Sequence, residues 1–153
     1  MGRQGMILLI EDDQVDAMTV KRAMEDSGST SSIVHVHNGE AALAYLRSDV
    51  NERPYLILLD LNMPKMNGIE FLRLIKADPA LSSIPVIVLT TSASQDDIGD
   101  SYRASVAGYV IKSVDYRQFV VKIQAIERYW QINRLPGDQW EAYDAGIRTH
   151  LVS

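Results

Sequence analysis

The chain has no cysteine, which excludes disulfide staples and thiolate-bound metals together. No apolar run approaches membrane-spanning length, and no hydrophobic signal core follows the start Met1-Gly-Arg-Gln-Gly5. Gly2 alone would suit myristoylation, but Met6 stands where that motif wants Ser or Thr. Positive charge is scarce as well: 15 Lys and Arg against 20 Asp and Glu leave a net charge of −5. Nothing basic and contiguous offers phosphates a footprint, so a dedicated nucleic-acid surface is not expected. Internal repeats and low-complexity tracts are missing too, since Ser29 to Ser32 is only a polar loop. A cytoplasmic protein with no membrane segment is the expectation. What is present, 46% hydrophobic and 23% charged residues in a chain of 153, describes an ordinary globular domain with one sizeable core and a short extension.

The most informative stretch is Tyr55-Leu-Ile-Leu-Leu-Asp60-Leu-Asn-Met-Pro64-Lys-Met-Asn-Gly68. Four apolar residues without alternation suit a strand buried on both faces, as in a parallel sheet. Pro64 and Gly68 then break the strand and open a helix. Asp60 is thereby delivered to the carboxyl end of a buried strand, where open α/β sheets place their ligand crevice. Three further runs end in residues of different chemistry. Met6 to Ile10 ends in Glu11-Asp12-Asp13, Ile84 to Leu89 in Thr90-Thr91-Ser92, and Gly108 to Ile111 in Lys112. In a parallel sheet all these ends share one edge, so acid, acid, hydroxyl and cation can converge. That set suits phosphoryl transfer to a carboxylate.

Strand-like runs near 6–11, 32–37, 55–60, 84–90 and 108–111 alternate with helical stretches near 14–27, 39–49, 67–77, 95–105 and 115–132. This is the βα rhythm of a parallel sheet. Ser94 with Asp97 reads as a capping box, Asp115 as the cap of the last helix, and Gly28 as a helix stop. Asp13 reads as a helix cap as well. Residues 133–153 lie outside the βα pattern, with Pro136-Gly137 marking the boundary. The organisation expected is a domain over 1–132 and an extension over 133–153, in which Trp140, Tyr143, Ile147 and Leu151 recur at helical intervals.

These motifs resemble the receiver domain of two-component response regulators, the CheY-like family. Asp60 to Thr90 spans 30 residues and Asp60 to Lys112 spans 52, both family spacings, and Tyr109 falls on the family's aromatic switch position. The resemblance covers roughly residues 5 to 130. It implies a doubly wound, five-stranded parallel sheet in the order 2-1-3-4-5 with helices on both faces, which right-handed crossovers also favour. It further implies that Asp60 accepts a phosphoryl group from a histidine kinase or histidine phosphotransfer protein, with Mg²⁺ held by Asp12, Asp60 and the main-chain carbonyl of Asn62. Glu11 and Asp12 match the family's acidic pair, with Asp12 the direct ligand. Thr90 takes the place of the switch hydroxyl, Thr91 lines the entrance, and Lys112 pairs with a phosphoryl oxygen. No histidine stands at the four strand ends, and an attacking carboxylate needs no general base. The family usually has Pro after the lysine, with a cis bond, whereas Ser113 follows here. A cis non-proline bond costs about 2.5–4 kcal/mol.

The Lys112-Ser113 pairing, Trp130 and Leu135-Pro136 look like the stand-alone receivers that serve bacterial phytochromes. Output is then expected through a downstream protein. His35 and His37 share a face of an edge strand but have no third partner for a metal, so they read as partly exposed strand residues. The last helix is apolar on more than one face, through residues such as Phe119, Val121, Ile126 and Trp130. With the tail, it is a candidate homodimer surface. Two other classes share parts of this pattern. A flavodoxin-like cofactor binder needs a phosphate-cradling loop where Glu11-Asp12-Asp13 stands. A phosphatase of the haloacid dehalogenase type wants a second acid where Asn62 stands.

Overall fold

In the computed structural model, residues 5–63 and 66–136 are described. Five strands, β1 (Met6–Ile10), β2 (Ser32–Val36), β3 (Leu56–Leu59), β4 (Val86–Thr90) and β5 (Gly108–Ile111), alternate with five helices. The helices are α1 (Gln14–Asp26), α2 (Gly39–Arg47), α3 (Gly68–Ala77), α4 (Gln95–Arg103) and α5 (Tyr116–Ile132). All strand pairs are parallel, in the order β2-β1-β3-β4-β5. The expected architecture is the observed one.

The unbroken apolar runs of β1, β3 and β4 are buried at every position because the sheet is covered on both faces. The period-2 alternation of a strand sorts them into two cores. Leu8, Ile10, Ile57, Leu59, Val86 and Val88 meet Phe71, Leu72 and Ile75 of α3 on one side. On the other, Ile7, Leu9, Leu56, Leu58 and Leu89 meet Val20 and Met24 of α1 and Phe119 and Ile123 of α5. Each large side chain so buried contributes about 1.5–3 kcal/mol.

Each helix starts on a short polar side chain that accepts a backbone N–H of the first turn. These are Asp13, Asn38, Asn67, Ser94 and Asp115. Gly28 lies just past α1 with φ +81°, a conformation costly for any side chain. Gly68 is required for another reason: a Cβ there would come within 2.7 Å of the Leu61 Cα. β4 begins two residues later than expected because Pro85 has no N–H to donate, although its carbonyl accepts from Ile57. No described peptide bond is cis, that of Lys112 and Ser113 included.

On α5, Phe119, Ile123, Ile126 and Trp130 face the core, while Val121, Tyr129 and Ile132 stay exposed. Leu135 folds back against the α1–α5 core. Pro64, Gly137 and the tail positions Trp140, Tyr143, Ile147 and Leu151 lie outside the described residues.

Glu127 of α5 is 7% exposed and accepts a hydrogen bond from Ser29 Oγ at 2.8 Å. Burial pushes its carboxyl above the ordinary range, against the opposite pull of that bond. A raised folded-state pKa means that the folded chain holds this proton more tightly than the unfolded chain. The stability this provides is complete below the unfolded carboxylate pKa and is lost as pH rises through the raised value. Glu127→Gln keeps an acceptor oxygen and cannot ionise. It should melt above wild type at neutral pH, with the difference vanishing near the ordinary carboxylate pKa of about 4.3. Thermal melts at the two pH values check this, and an equal offset at both would refute it.

Candidate functional site

The carboxyl edge of the sheet gathers Glu11 after β1, Asp60 after β3, Thr90 at the end of β4 and Lys112 after β5. Parallel topology alone puts these positions side by side. The carboxylate oxygens of Glu11, Asp12 and Asp60 all lie within 4.8 Å of one another. Glu11 and Asp60 are buried and Asp12 is exposed, so the acid cluster opens to solvent on the Asp12 side. Asn62 is exposed and its backbone N–H donates to Asp60 Oδ1 at 3.4 Å.

The Lys112 ammonium donates to Glu11 Oε1 and, at 3.2 Å, to Asp16 Oδ2. Burial disfavours its charge, but the hydrogen bond to Glu11 and the charges of Glu11, Asp60 and Asp16 outweigh that and hold its pKa above the ordinary value. Burial pushes the Glu11 carboxyl up to about 8; Lys112 pulls it down, and Asp60 adds to the rise. Buried carboxyls crowded like this repel one another when ionised. A hard divalent cation relieves that repulsion, and an all-oxygen donor set open on one side is what such a cation prefers. The residues present therefore fit a divalent metal.

Thr90 is fully buried and its Oγ1 accepts the Ser92 N–H at 3.4 Å. Thr91 is exposed and lines a cavity of about 160 Å³ with Asp16, Thr19, Val20, Lys112 and Ser113. Tyr109 is half-buried and its hydroxyl donates to the Ser92 carbonyl at 2.8 Å. Burial raises its phenol pKa. Ser92 also donates from its hydroxyl to Asp97 Oδ2 at 2.6 Å, so one residue joins β4, Tyr109 and the first turn of α4.

Three participants were not visible in the linear pattern. Ser92 is there only the last hydroxyl of Thr90-Thr91-Ser92, and Asp16 an acid with no motif to single it out. His35 is the third: its Nε2–H donates to the Glu11 carbonyl at 2.7 Å, so a histidine does reach one of the four strand ends. It touches the main chain and not a carboxylate. Burial lowers its pKa. The ring stands 4.5 Å from that of His37, which is exposed.

Known proteins resemble this chain in sequence and in fold. The family described as Response regulator receiver domain matches residues 7–124. The response regulator Rcp1 of Synechocystis is 40% identical over 129 residues, covering 82% of this chain and 88% of that protein. Its Mn(2+)-bound structure has a TM-score of 0.78, at 39% identity, over 86% of this chain and 99% of that one. The probable methanogenesis regulatory protein FilR2 of Methanothrix harundinacea is 41% identical over 136 residues, covering 86% and 88%. The phosphorylated cyanobacterial phytochrome response regulator RcpA superposes with a TM-score of 0.81, at 40% identity, over 88% of this chain and all of that one. The chain belongs to the response regulator receiver domain family. It is thus a two-component signalling protein of the CheY-like kind, in which an aspartate takes the phosphoryl group. Receiver domains interact with histidine kinases or phosphotransfer proteins and bind a divalent metal. Among the described residues no helix is long and apolar enough to cross a membrane.

Proposed function

We propose that Asp60 is the phosphoryl acceptor and that Mg²⁺ is the working metal. The observation that carries this is the convergence of Glu11, Asp12 and Asp60 within 4.8 Å beside the partly buried Lys112 ammonium. Asp12, Asp60 and the Asn62 main-chain carbonyl would hold the ion, with Glu11 completing the acidic pair. When bound, it supplies positive charge to the transferring phosphoryl oxygens. An Asp60 oxygen attacks phosphorus, an aspartyl–phosphate bond forms, and the phosphorus–nitrogen bond of the donor's phosphohistidine breaks. The leaving imidazole keeps the bonding pair. Glu11 anchors Lys112, whose ammonium neutralises one phosphoryl oxygen, and the Thr90 hydroxyl donates to another. The protein thus catalyses only its own phosphorylation and dephosphorylation. Labelling by a small phosphodonor, compared between wild type and Asp60→Asn, tests the assignment.

Movement of Thr90 toward the phosphoryl group removes the acceptor of the Ser92 N–H, and Ser92 also holds Tyr109. Thr90 and Tyr109 are in this way the switch, with Thr91 at the entrance. The switch shifts the population of the surface formed by α4 and α5, which a downstream protein reads. The receiver spans residues 1–132, with 133–153 an extension, and works in the cytoplasm. Its donor is a histidine kinase or phosphotransfer protein. The phytochrome-linked names of RcpA and other solved relatives favour a phytochrome-type kinase.

An apolar groove between β5 and α5 is proposed as part of a homodimer interface. Ile87, Tyr109, Val110, Ile111, Ala125 and Tyr129 line an open apolar groove of about 530 Å³. Val121, Tyr129 and Ile132 beside it are 62%, 54% and 81% exposed. Water covers such a patch poorly, and a symmetric pair joined through α4, α5 and the tail would bury it. Deleting residues 133–153 should weaken association by about tenfold or more while Asp60 is still phosphorylated. Analytical ultracentrifugation of both chains measures this. A full-length chain that stays monomeric at high concentration, with and without a phosphoryl analogue, excludes the dimer.

A further inference from the structure

We infer that Asp16 is a positioning residue for Lys112: in the unphosphorylated protein its carboxylate occupies the part of the ammonium that a phosphoryl oxygen takes over. The inference rests on the reading of Asp60 as acceptor. An acid in the first turn of α1 needs no partner to be favourable, since the helix dipole suffices. Asp16 nevertheless reaches Lys112 Nζ, 3.2 Å away and 96 residues distant in sequence. The two carboxylates on Lys112 differ in kind. The Glu11 side chain is 2% exposed, and that of Asp16 is 47% exposed.

Separating Lys112 from Glu11 would leave a buried carboxyl and a largely enclosed ammonium without their hydrogen bond and with little water to replace it, which is unfavourable. Separating it from Asp16 returns a half-exposed carboxylate to water, which is nearly neutral. The ammonium therefore stays on Glu11 and exchanges Asp16 for the phosphoryl oxygen. An ammonium has three N–H donors, so a phosphoryl oxygen could also take the one left free. Asp16 opposes it in that case too, because its charge offsets that of Lys112 beside an incoming anion. Both routes have the same sign: Asp16 lowers the affinity of the site for a phosphoryl group. It also lines the cavity at Lys112 with Thr91 and Ser113, so the exchange occurs where solvent reaches.

Calorimetric titration of the full chain with beryllofluoride at saturating Mg²⁺ tests this. Asp16→Asn should bind about two- to fivefold tighter than wild type, the scale set by a half-exposed ion pair. Asp16→Glu, which restores a carboxylate, should return the affinity to that of wild type. Asp13→Asn serves as the control. It removes one charge from the same helix end and keeps a competent cap, and it should change the affinity by less than about 1.5-fold. If wild type binds and Asp16→Asn is no tighter, or Asp13→Asn matches its gain, the positioning role is wrong and the acceptor reading stands. If wild type binds no beryllofluoride, the acceptor reading itself falls.

Discussion

Acetyl phosphate with Mg²⁺ should add one phosphoryl group to the wild-type chain and none to Asp60→Asn. The adduct should be labile to base and to hydroxylamine, as an acyl phosphate is. Asp60 sits 8% exposed at the end of β3, with Glu11 and Asp12 in reach of a shared cation and Lys112 opposite. An amide in its place can neither attack phosphorus competently nor bring negative charge to the metal. Loss of a nucleophile from an assembled site lowers rates by about a thousandfold or more, well below detection in a labelling assay. Intact-mass measurement before and after hydroxylamine reads the outcome. Undiminished labelling of Asp60→Asn at another residue would show the acceptor to be wrongly assigned.

The second large effect is on metal affinity. Asp12→Asn should weaken Mg²⁺ binding on the order of ten- to a hundredfold, and phosphorylation with it, because a direct ligand and a negative charge are both lost. Asp12 is exposed, so folding should be unaffected. Asp13→Asn makes the informative contrast. Asp13 Oδ1 accepts the Asp16 N–H at 2.9 Å as the cap of α1, and Asn caps about as well. Its Mg²⁺ affinity should stay within about twofold of wild type, since only a screened, more distant charge is lost. Mg²⁺ titrations followed by calorimetry separate the two variants. Equal losses in both would show that the acid pair is displaced by one residue.

Strand ends were legible because apolar run length and period report burial, and parallel topology carries every run's last residue to one edge. Glu11, Asp60, Lys112 and a hydroxyl from Thr90-Thr91-Ser92 could therefore be grouped from order alone, and only the family spacing singled out Thr90. Helix starts were legible where Ser94 and Asp115 precede polar first turns, since capping is a contact over three residues. Asn38 and Asn67 cap by the same bond but were lost among ordinary turn formers.

By itself, then, the sequence determined the sheet, its two cores and the residues at its carboxyl edge. All of these follow from local periodicity and from the few ways a βα chain can wind. Only the tertiary structure decided what each of those residues touches. Lys112 meets Glu11 across 101 residues and Asp16 across 96, His35 finds the Glu11 carbonyl, and Ser92 links Thr90, Tyr109 and Asp97. Such contacts depend on how a helix is rotated over the sheet and how far a side chain reaches. That rotation is set by packing of the whole core, and no local stretch of sequence records it.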